Sequence, residues 1–486
     1  MKKIIPVMKN QDIIMTIQDI SAEGEGIGKY EGYTLFVPKA LPGETIKARV
    51  LKVKGNFGYA KVEELLEPSA ARQEADCPAG PLCGGCTLQH IKYEETLKIK
   101  QKQIQDCLER IGGLTGIEVM PVLGMAIPMH YRNKVQYPIR QGKNGAAQIG
   151  FFAPNSHRII EAPTCCQQDP HTDLILQTIR QMMAKHNITA YQEETGRGLF
   201  RHCVIRKSAL HKNFHLTLVI NAKSISPNIK NAIIETFAGD PQISGVSINF
   251  HTEKNNVIMG RQTECILGEQ YVEDYIGKYK FLISPNSFFQ INSAMTEVLY
   301  QKALEYASLT GRERVFDLYC GIGTISLFLA EKAKEVIGVE IVPEAIADAR
   351  ENAKRNGIEN AEFYVGKAEE VFPKLYAEGR GADVIVVDPP RKGLEPAVIE
   401  TIRQMQPERV VYVSCNPATL ARDLKLFVGE EKEEEREGSV LTGSQGQESS
   451  LATGKKLARY QVMKVQGVDM FARGGHVETV CLLVKV

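Results

Sequence analysis

The sequence predicts an α/β chain whose C-terminal part is a mostly parallel sheet with helices on both faces, preceded by a small β-barrel and a central α+β region. Three observations predict it. From about residue 280, short apolar strands alternate with amphipathic helices, the pattern of βαβ units. The first 67 residues read instead as several short strands with turn residues between them. Between these parts a Gly/Pro-rich stretch, CPAGPLCGGC, spaces Cys77, Cys83 and Cys86 as C-x5-C-x2-C, which suits a metal centre.

A length of 486 residues corresponds to about three domains, and 43% hydrophobic residues supply a core for each. The expected divisions are 1–67, 68–275 and 276–486. The start, MKKIIPVMKNQD, has too short an apolar run for a signal peptide, and no stretch approaches the ~20 apolar residues of a spanning helix. Eleven cysteines, an odd number, argue against a disulfide framework. A cytoplasmic monomer with no protein partner and no membrane contact is therefore expected. The net charge of +1 averages unlike pieces. Lys29, Lys39, Lys47, Arg49, Lys52, Lys54 and Lys61 face only Glu31 and Glu44 over residues 29–62, whereas EEKEEERE at 430–437 is acidic.

In the N-terminal part, Tyr33–Val37 and Glu44–Leu51 are the clearest strands. Basic residues alternating with Phe57 and Tyr59 would combine phosphate neutralisation with base stacking; a merely solvated charged face is the alternative. After the cysteine stretch, Leu97, Ile104, Leu108 and Ile111 form one helical face that ends at Gly112-Gly113. The middle region holds hairpin-like runs, Asn133 to Arg140 and Ala146 to Phe152, around the turn QGKNG. Arg132, Lys134, Arg140, Arg158, Arg201 and Arg206 are its candidate contacts to RNA phosphates. Cys165 or Cys166, in APTCCQQDP, offers a fourth ligand to the three upstream thiols. By spacing alone, zinc and an iron–sulfur cluster both suit the set, with zinc slightly ahead as the more common structural ion.

The α/β part carries the chemistry. The strand ending in Asp317-Leu318-Tyr319 runs into the turn CGIGT and an apolar helix from Ile325 to Ala333, and glycines in such a turn let backbone approach a nucleotide. The next strand ends in Glu340, the type of residue that bonds ribose hydroxyls. A dinucleotide oxidoreductase could use the same parts, although the third glycine of its fingerprint is absent. A third strand ends in Asp388-Pro389-Pro390-Arg391, a methyltransferase habit; an aromatic residue after the prolines would mark an amino-methylating enzyme, and Arg391 argues against nitrogen as acceptor. A fourth strand stops at Cys415 and turns into a helix with Asn416 as N-cap and Pro417 in its first turn. A free thiol titrates near ~8.5, and the helix N-terminus is expected to lower that value and activate Cys415; a buried structural cysteine is the alternative. Residues 429–458 lack apolar periodicity and read as a mobile surface insertion.

Together, DLYCGIGT, GVE, VDPPRKG, VSCNPATLARD and HVETV resemble the RumA/RlmD-type RNA uracil-5-methyltransferases. The resemblance extends to YRNKVQYPIR, GFFAPNSHRII and SPNSFFQIN, and the N-terminal barrel resembles the OB-like TRAM module. It implies a Rossmann-like methyltransferase core with S-adenosylmethionine as donor, bound by Gln290, Tyr319, Glu340 and Asp388. It implies Cys415 as nucleophile and Glu478 as the base that removes a proton. It also implies a 4Fe-4S cluster, rather than zinc, on Cys77, Cys83, Cys86 and Cys165, the last preferred because it matches a Cys-x-x-Gln pattern with Gln168. Large-subunit (23S) rRNA is the expected partner and tRNA the alternative. The chain departs from the resemblance at Asp469–His476, which reads DMFARGGH where relatives usually have Pro and a Ser or Thr.

The implied chemistry explains these residue types. Carbon 5 of uracil becomes nucleophilic only after a thiolate adds to carbon 6, and the adduct must then lose its carbon 5 proton to a base before the thiol can leave. Glu478 lies among apolar neighbours that would raise its pKa, although an isolated Glu on a strand is more often solvated. Methylthiotransferases join a cluster to a TRAM-like module but use a C-x3-C-x2-C loop, which CPAGPLCGGC does not match. Cytosine-5 methyltransferases surround their cysteine differently. A catalytically idle RNA-binding protein would have no need of Cys415, Asp388 and Glu478 together.

Overall fold

The computed structural model describes residues 5–80, 82–142, 145–154, 156–429 and 457–486. Most of the expected mobile insertion, residues 430–456, lies outside the described residues.

Strict alternation of buried and exposed side chains closes the first five strands into a barrel. They are β1 (Asp12–Ile20), β2 (Glu25–Tyr30), β3 (Tyr33–Pro38), β4 (Thr45–Val53) and β5 (Phe57–Glu67), in the order β1-β2-β3-β5-β4. Ile13, Met15, Ile17, Leu35, Val37, Ile46, Ala48, Val50 and Ala60 fill the interior. Outside, the rings of Phe36, Phe57 and Tyr59 meet with centroids 5.7–5.8 Å apart, and Lys54 lies 5.3 Å from the Phe57 ring. Part of the basic charge is answered internally, since Arg49 pairs with Asp12 at 2.7 Å and Lys61 with Glu63 at 2.8 Å.

The next two elements, α1 (Tyr93–Arg110) and β6 (Val119–Leu123), were expected in the central domain. They join the C-terminal sheet instead: β6 pairs in parallel with a strand near the chain end, and Ile104, Leu108, Val119 and Val122 share its core. The buried face of α1 is Thr96, Lys100, Ile104 and Leu108, while Ile111 caps the helix and is exposed.

The central sheet is built from β7 (Lys134–Gln141) and β8 (Ala147–Ile149), the expected hairpin, followed after β9 (Phe151–Phe152), β10 (Ile159–Ile160) and α2 (His171–Lys185) by β11 (Phe200–Lys207), β12 (Phe214–Ile220), α3 (Pro227–Phe237), β13 (Ile243–Phe250) and β14 (Gln262–Gly268). Its order is β14-β13-β12-β11-β7-β8, with α2 and α3 contributing to its core. Two expected RNA contacts are buried here. Arg201 donates to the carbonyls of His251 and Glu253, and Arg206 donates to that of Ser287 at 2.6 Å. Arg140 pairs with Glu193. These guanidiniums satisfy backbone carbonyls and a carboxylate that periodicity could not foresee.

The C-terminal part opens with the hairpin β15 (Val272–Ile276) and β16 (Tyr279–Ile283) and continues with α4 (Ser293–Ala307), β17 (Arg314–Leu318), α5 (Thr324–Ala330), β18 (Glu335–Glu340), α6 (Pro343–Arg355), β19 (Ala361–Val365), α7 (Ala368–Ala377), β20 (Val384–Val387), α8 (Pro396–Met405), β21 (Arg409–Ser414), α9 (Pro417–Val428), β22 (Tyr460–Val468) and β23 (Glu478–Lys485). The eight-stranded order is β19-β18-β17-β20-β21-β23-β22-β6, with β23 antiparallel to both neighbours. β17 pairs with β18 on one side and β20 on the other, so the strand order reverses there. Ligands of such sheets bind at that reversal, beyond the carboxyl ends of the strands.

Candidate active site and cysteine pocket

Tyr319, Glu340, Asp388 and Cys415 lie along the carboxyl edge of the parallel strands and Glu478 at the start of β23, whereas Gln290 lies in the segment between β16 and α4. Tyr319 follows β17 with a left-handed backbone, φ 72°, strained for a residue other than glycine. Its N–H and that of Cys320 both donate to the Val339 carbonyl, which pins the turn to β18. At Gly323 an added Cβ would stand 3.2 Å from that of Ala349, so the absence of a side chain lets α5 pack close to α6. A Cβ at Gly321 would meet nothing within 4 Å, leaving room over the turn. Glu340 ends β18 with its carboxylate accepting from Gly321 N at 3.2 Å and Val342 N at 3.0 Å. Ile341 and Val342, apolar and exposed, lie just beyond. An anchored carboxylate beside apolar surface and an open glycine turn fits a nucleoside.

Gln290 is nearly buried, and its carbonyl accepts from Asn133 Nδ2 of the central domain at 2.8 Å. Asp388 stands at the end of β20. Burial, and then the charge of Asp317, push its carboxyl up to about 7.

Cys415 follows β21. Asn416 caps α9 by accepting from Ala418 N at 3.1 Å, with Pro417 in the first turn, as expected. The expected activation by the helix terminus is overturned: burial, with Glu478 and Asp388 adding repulsion, pushes the Cys415 thiol up to about 11 against the opposing pull of Arg391. Local dipole reasoning overlooked two carboxylates brought in by other strands.

The register of β21 with β23 brings Glu478 to this cysteine. Ser414 pairs with Thr479, so Cys415 and Glu478 are the next positions outward on adjoining strands. Glu478 is 4% exposed, and burial and Asp388 push its carboxyl up to about 8. The raised value expected from apolar neighbours is thus present.

Residues the sequence reading passed over hold the arrangement together. The Arg391 carbonyl accepts from Asn416 Nδ2 and the Thr419 hydroxyl, both at 3.2 Å. Arg422 donates to the Lys392 carbonyl at 2.8 Å. The fully buried Asp423 accepts from Leu394 N at 2.8 Å and the Tyr412 hydroxyl at 2.7 Å. The first two turns of α9 therefore clamp the loop after Asp388. An Asp on a helix face shared with Leu420, Leu424 and Phe427 is the signal that would have found this clamp.

The cysteines form a second locus. Cys77, Cys83, Cys86 and Cys165 line one cavity of about 130 Å³, together with Gln89, Arg132, Gln167 and Gln168; Cys166 lies beside it, a free thiol hydrogen-bonded to that of Cys86. Among the described residues, no three His, Cys, Asp or Glu side chains converge as ligands of one metal ion. Two polar atoms at the pocket, Oε1 of Gln89 and Nε of Arg132, have no hydrogen-bond partner among the described residues. Four thiols around a void, with an unanswered guanidinium N–H behind them, suit a group that sulfur would hold. Among the described residues, no helix is long and apolar enough to cross a membrane.

Residues 92–432 match the family model described as tRNA (Uracil-5-)-methyltransferase, and residues 6–62 match the TRAM domain. An RNA methyltransferase of Halalkalibacterium halodurans is 45% identical over 482 residues, covering 99% of both chains. One from Clostridium acetobutylicum is 44% identical and covers all of both. Among solved structures, the Pyrococcus abyssi tRNA (uracil-54, C5)-methyltransferase in complex with S-adenosyl-L-homocysteine superposes with a TM-score of 0.72 at 26% identity, covering 97% of this chain and 99% of that one.

Proposed function

The chain belongs to the S-adenosylmethionine-dependent RNA (uracil-5-)-methyltransferase family, and from that premise we propose that it methylates carbon 5 of a uridine through a covalent adduct with Cys415. The observation that carries this reading is the meeting of Cys415 and Glu478 across β21 and β23, beside Asp388. The donor, when bound, supplies an electrophilic methyl group on a positively charged sulfonium. Tyr319, Glu340, Gln290 and Asp388 would hold it, with Glu340 on the ribose.

The Cys415 thiol is largely protonated in the free enzyme, because burial and two carboxylates oppose its charge. A cation seated near Asp388 relieves that opposition and favours both the thiolate and the Glu478 carboxylate. Cys415 Sγ then bonds to carbon 6 of the uracil, and the electron pair displaced onto the ring lets carbon 5 take the methyl group, whose bond to sulfur breaks with its electron pair left on the donor's sulfur as a neutral thioether. Glu478 accepts the carbon 5 proton, the Sγ–carbon 6 bond breaks, and methylated RNA leaves with the thiolate restored. Cys77, Cys83, Cys86 and Cys165 would hold a 4Fe-4S cluster that orders the surrounding loops.

We take 23S rRNA as the substrate, on the joint presence of the barrel with its Phe36, Phe57 and Tyr59 cluster and the four-cysteine pocket. The likeness to the Pyrococcus abyssi tRNA enzyme over 97% of the chain favours tRNA as a second reading. RNA carrying 5-fluorouridine tests the chemistry, because fluorine cannot leave as a proton. Wild-type protein should form a stable covalent complex with it and Cys415→Ala none; a complex that survives this substitution overturns the mechanism. Mass mapping of 5-methyluridine in 23S rRNA and tRNA from cells lacking the gene separates the two substrates.

A further inference from the structure

Several parts of the chain meet in the segment between β22 and β23, just before Glu478. Asp469 is fully buried and accepts from Lys100 Nζ at 2.6 Å and the Tyr93 hydroxyl at 2.8 Å. The Tyr131 hydroxyl donates to the Ala472 carbonyl at 3.3 Å, and a Cβ at Gly475 would stand 2.6 Å from the Ala22 carbonyl oxygen of the barrel. Arg473 lies at the centre. Its backbone is left-handed, φ 65°, and its carbonyl accepts from Leu88 N, two residues beyond Cys86, at 2.9 Å. Its side chain, in a residue 7% exposed, pairs with Asp76, the neighbour of Cys77. Nε and Nη1 have no hydrogen-bond partner among the described residues.

A buried guanidinium with two unanswered donors is unfavourable unless an acceptor completes it. Thiolate sulfurs, or the sulfides of a cluster they hold, are acceptors of the right charge. We propose that Arg473 is a positioning residue that ties the cysteine pocket to the strand carrying Glu478, with its free donors directed to the sulfur of the assembled pocket and Asp76 closing its other side. It lies five residues before Glu478. A filled pocket then fixes the loop on which the base depends, and an empty one releases it. The inference rests on the cluster reading above.

Anaerobically purified full-length protein tests both separately. Iron and sulfide are measured first on wild type; their absence overturns the cluster reading and this inference with it. With the cluster present, its visible absorbance is followed during exposure to a chelator, for wild type, Arg473→Ala, Arg473→Lys and the nearly isosteric Asp76→Asn. The expected result is cluster loss at least ~5-fold faster in Arg473→Ala, partly restored in Arg473→Lys. S-adenosylmethionine affinity should stay within ~2-fold, and a methylated RNA adduct should accumulate as proton removal slows. Unchanged cluster lifetime and adduct level in both Arg473→Ala and Asp76→Asn overturn the proposal while leaving the cluster reading intact. Loss of donor binding in step with activity in both variants also overturns it, since that marks general misfolding.

Discussion

Cys415 and Glu478 sit one residue beyond the Ser414–Thr479 pair of two antiparallel strands, so the two residues are neighbours across the strands although they are 63 positions apart in sequence. Burial raises both groups most; Glu478 adds repulsion at the Cys415 thiol, and Asp388 adds it at both. The thiol and the Glu478 carboxyl of the free site therefore hold their protons at neutral pH.

Glu478→Gln keeps the shape of the side chain and removes its basicity. It should lower turnover by ~10²–10⁴-fold, the usual contribution of a positioned base. Because proton removal follows methyl transfer, a methylated covalent enzyme–RNA species should accumulate, visible as a slow band on a denaturing gel. Inactivity with no such band would assign Glu478 a folding or binding role.

Stability should depend on pH in an unusual direction. Glu478, at about 8, and Asp388 and Asp317, each at about 7, are raised above their ordinary values, with burial the largest cause. Groups raised on folding bind protons more tightly in the native state, so their contribution is complete below the unfolded value and is lost as pH rises through the folded one. The melting temperature of the free protein should fall between about pH 4 and pH 8, from the unfolded carboxyl values to the folded ones, by roughly a few degrees. Glu478→Gln should flatten the upper part of that decline, and a thermal scan in which wild type and variant fall alike would contradict the assignment.

Cys83→Ala removes one lining thiol of the cysteine pocket. Ligand gathering and loop folding are coupled in such sites, so iron content and RNA affinity should both fall. Donor affinity should persist, because Glu340 and the glycine turn lie elsewhere. Stoichiometric zinc without iron in wild type would refute the cluster, and lost donor binding with unchanged RNA affinity would refute the division of labour.

The ion pair of Lys100 with Asp469 is fully buried on both sides. Lys100→Met leaves Asp469 charged with only the Tyr93 hydroxyl and the Phe471 N–H, which should cost about 3–5 kcal/mol of stability. Lys100→Met with Asp469→Asn removes the stranded charge and should recover part of the loss. Denaturant titration of the two variants gives the comparison, and equal losses would mean that the pair contributes through packing alone.

What the sequence determined by itself was local. The β–α alternation, the glycine turn after Asp317, Asn416 and Pro417 at the start of α9 and the strand leading to Cys415 follow from periodicity, turn chemistry and capping, all of which act within a few residues. The family motifs in turn named candidate site residues, and the raised pKa of Glu478 followed from its apolar neighbours. Tertiary structure decided whatever depends on strand register and on packing between distant segments. It moved α1 and β6 from the central domain to the far edge of the C-terminal sheet, because β6 finds its partner in β22, more than 330 residues later. It buried Arg201 and Arg206, which composition alone offers as surface charge. It reversed the expected shift at Cys415, because burial, with added repulsion from carboxylates delivered by β20 and β23, disfavours the thiolate. It also joined Arg473 to Asp76, 397 positions away, since charge pairing in a buried interior depends on which segments the fold stacks together and leaves no trace in local pattern.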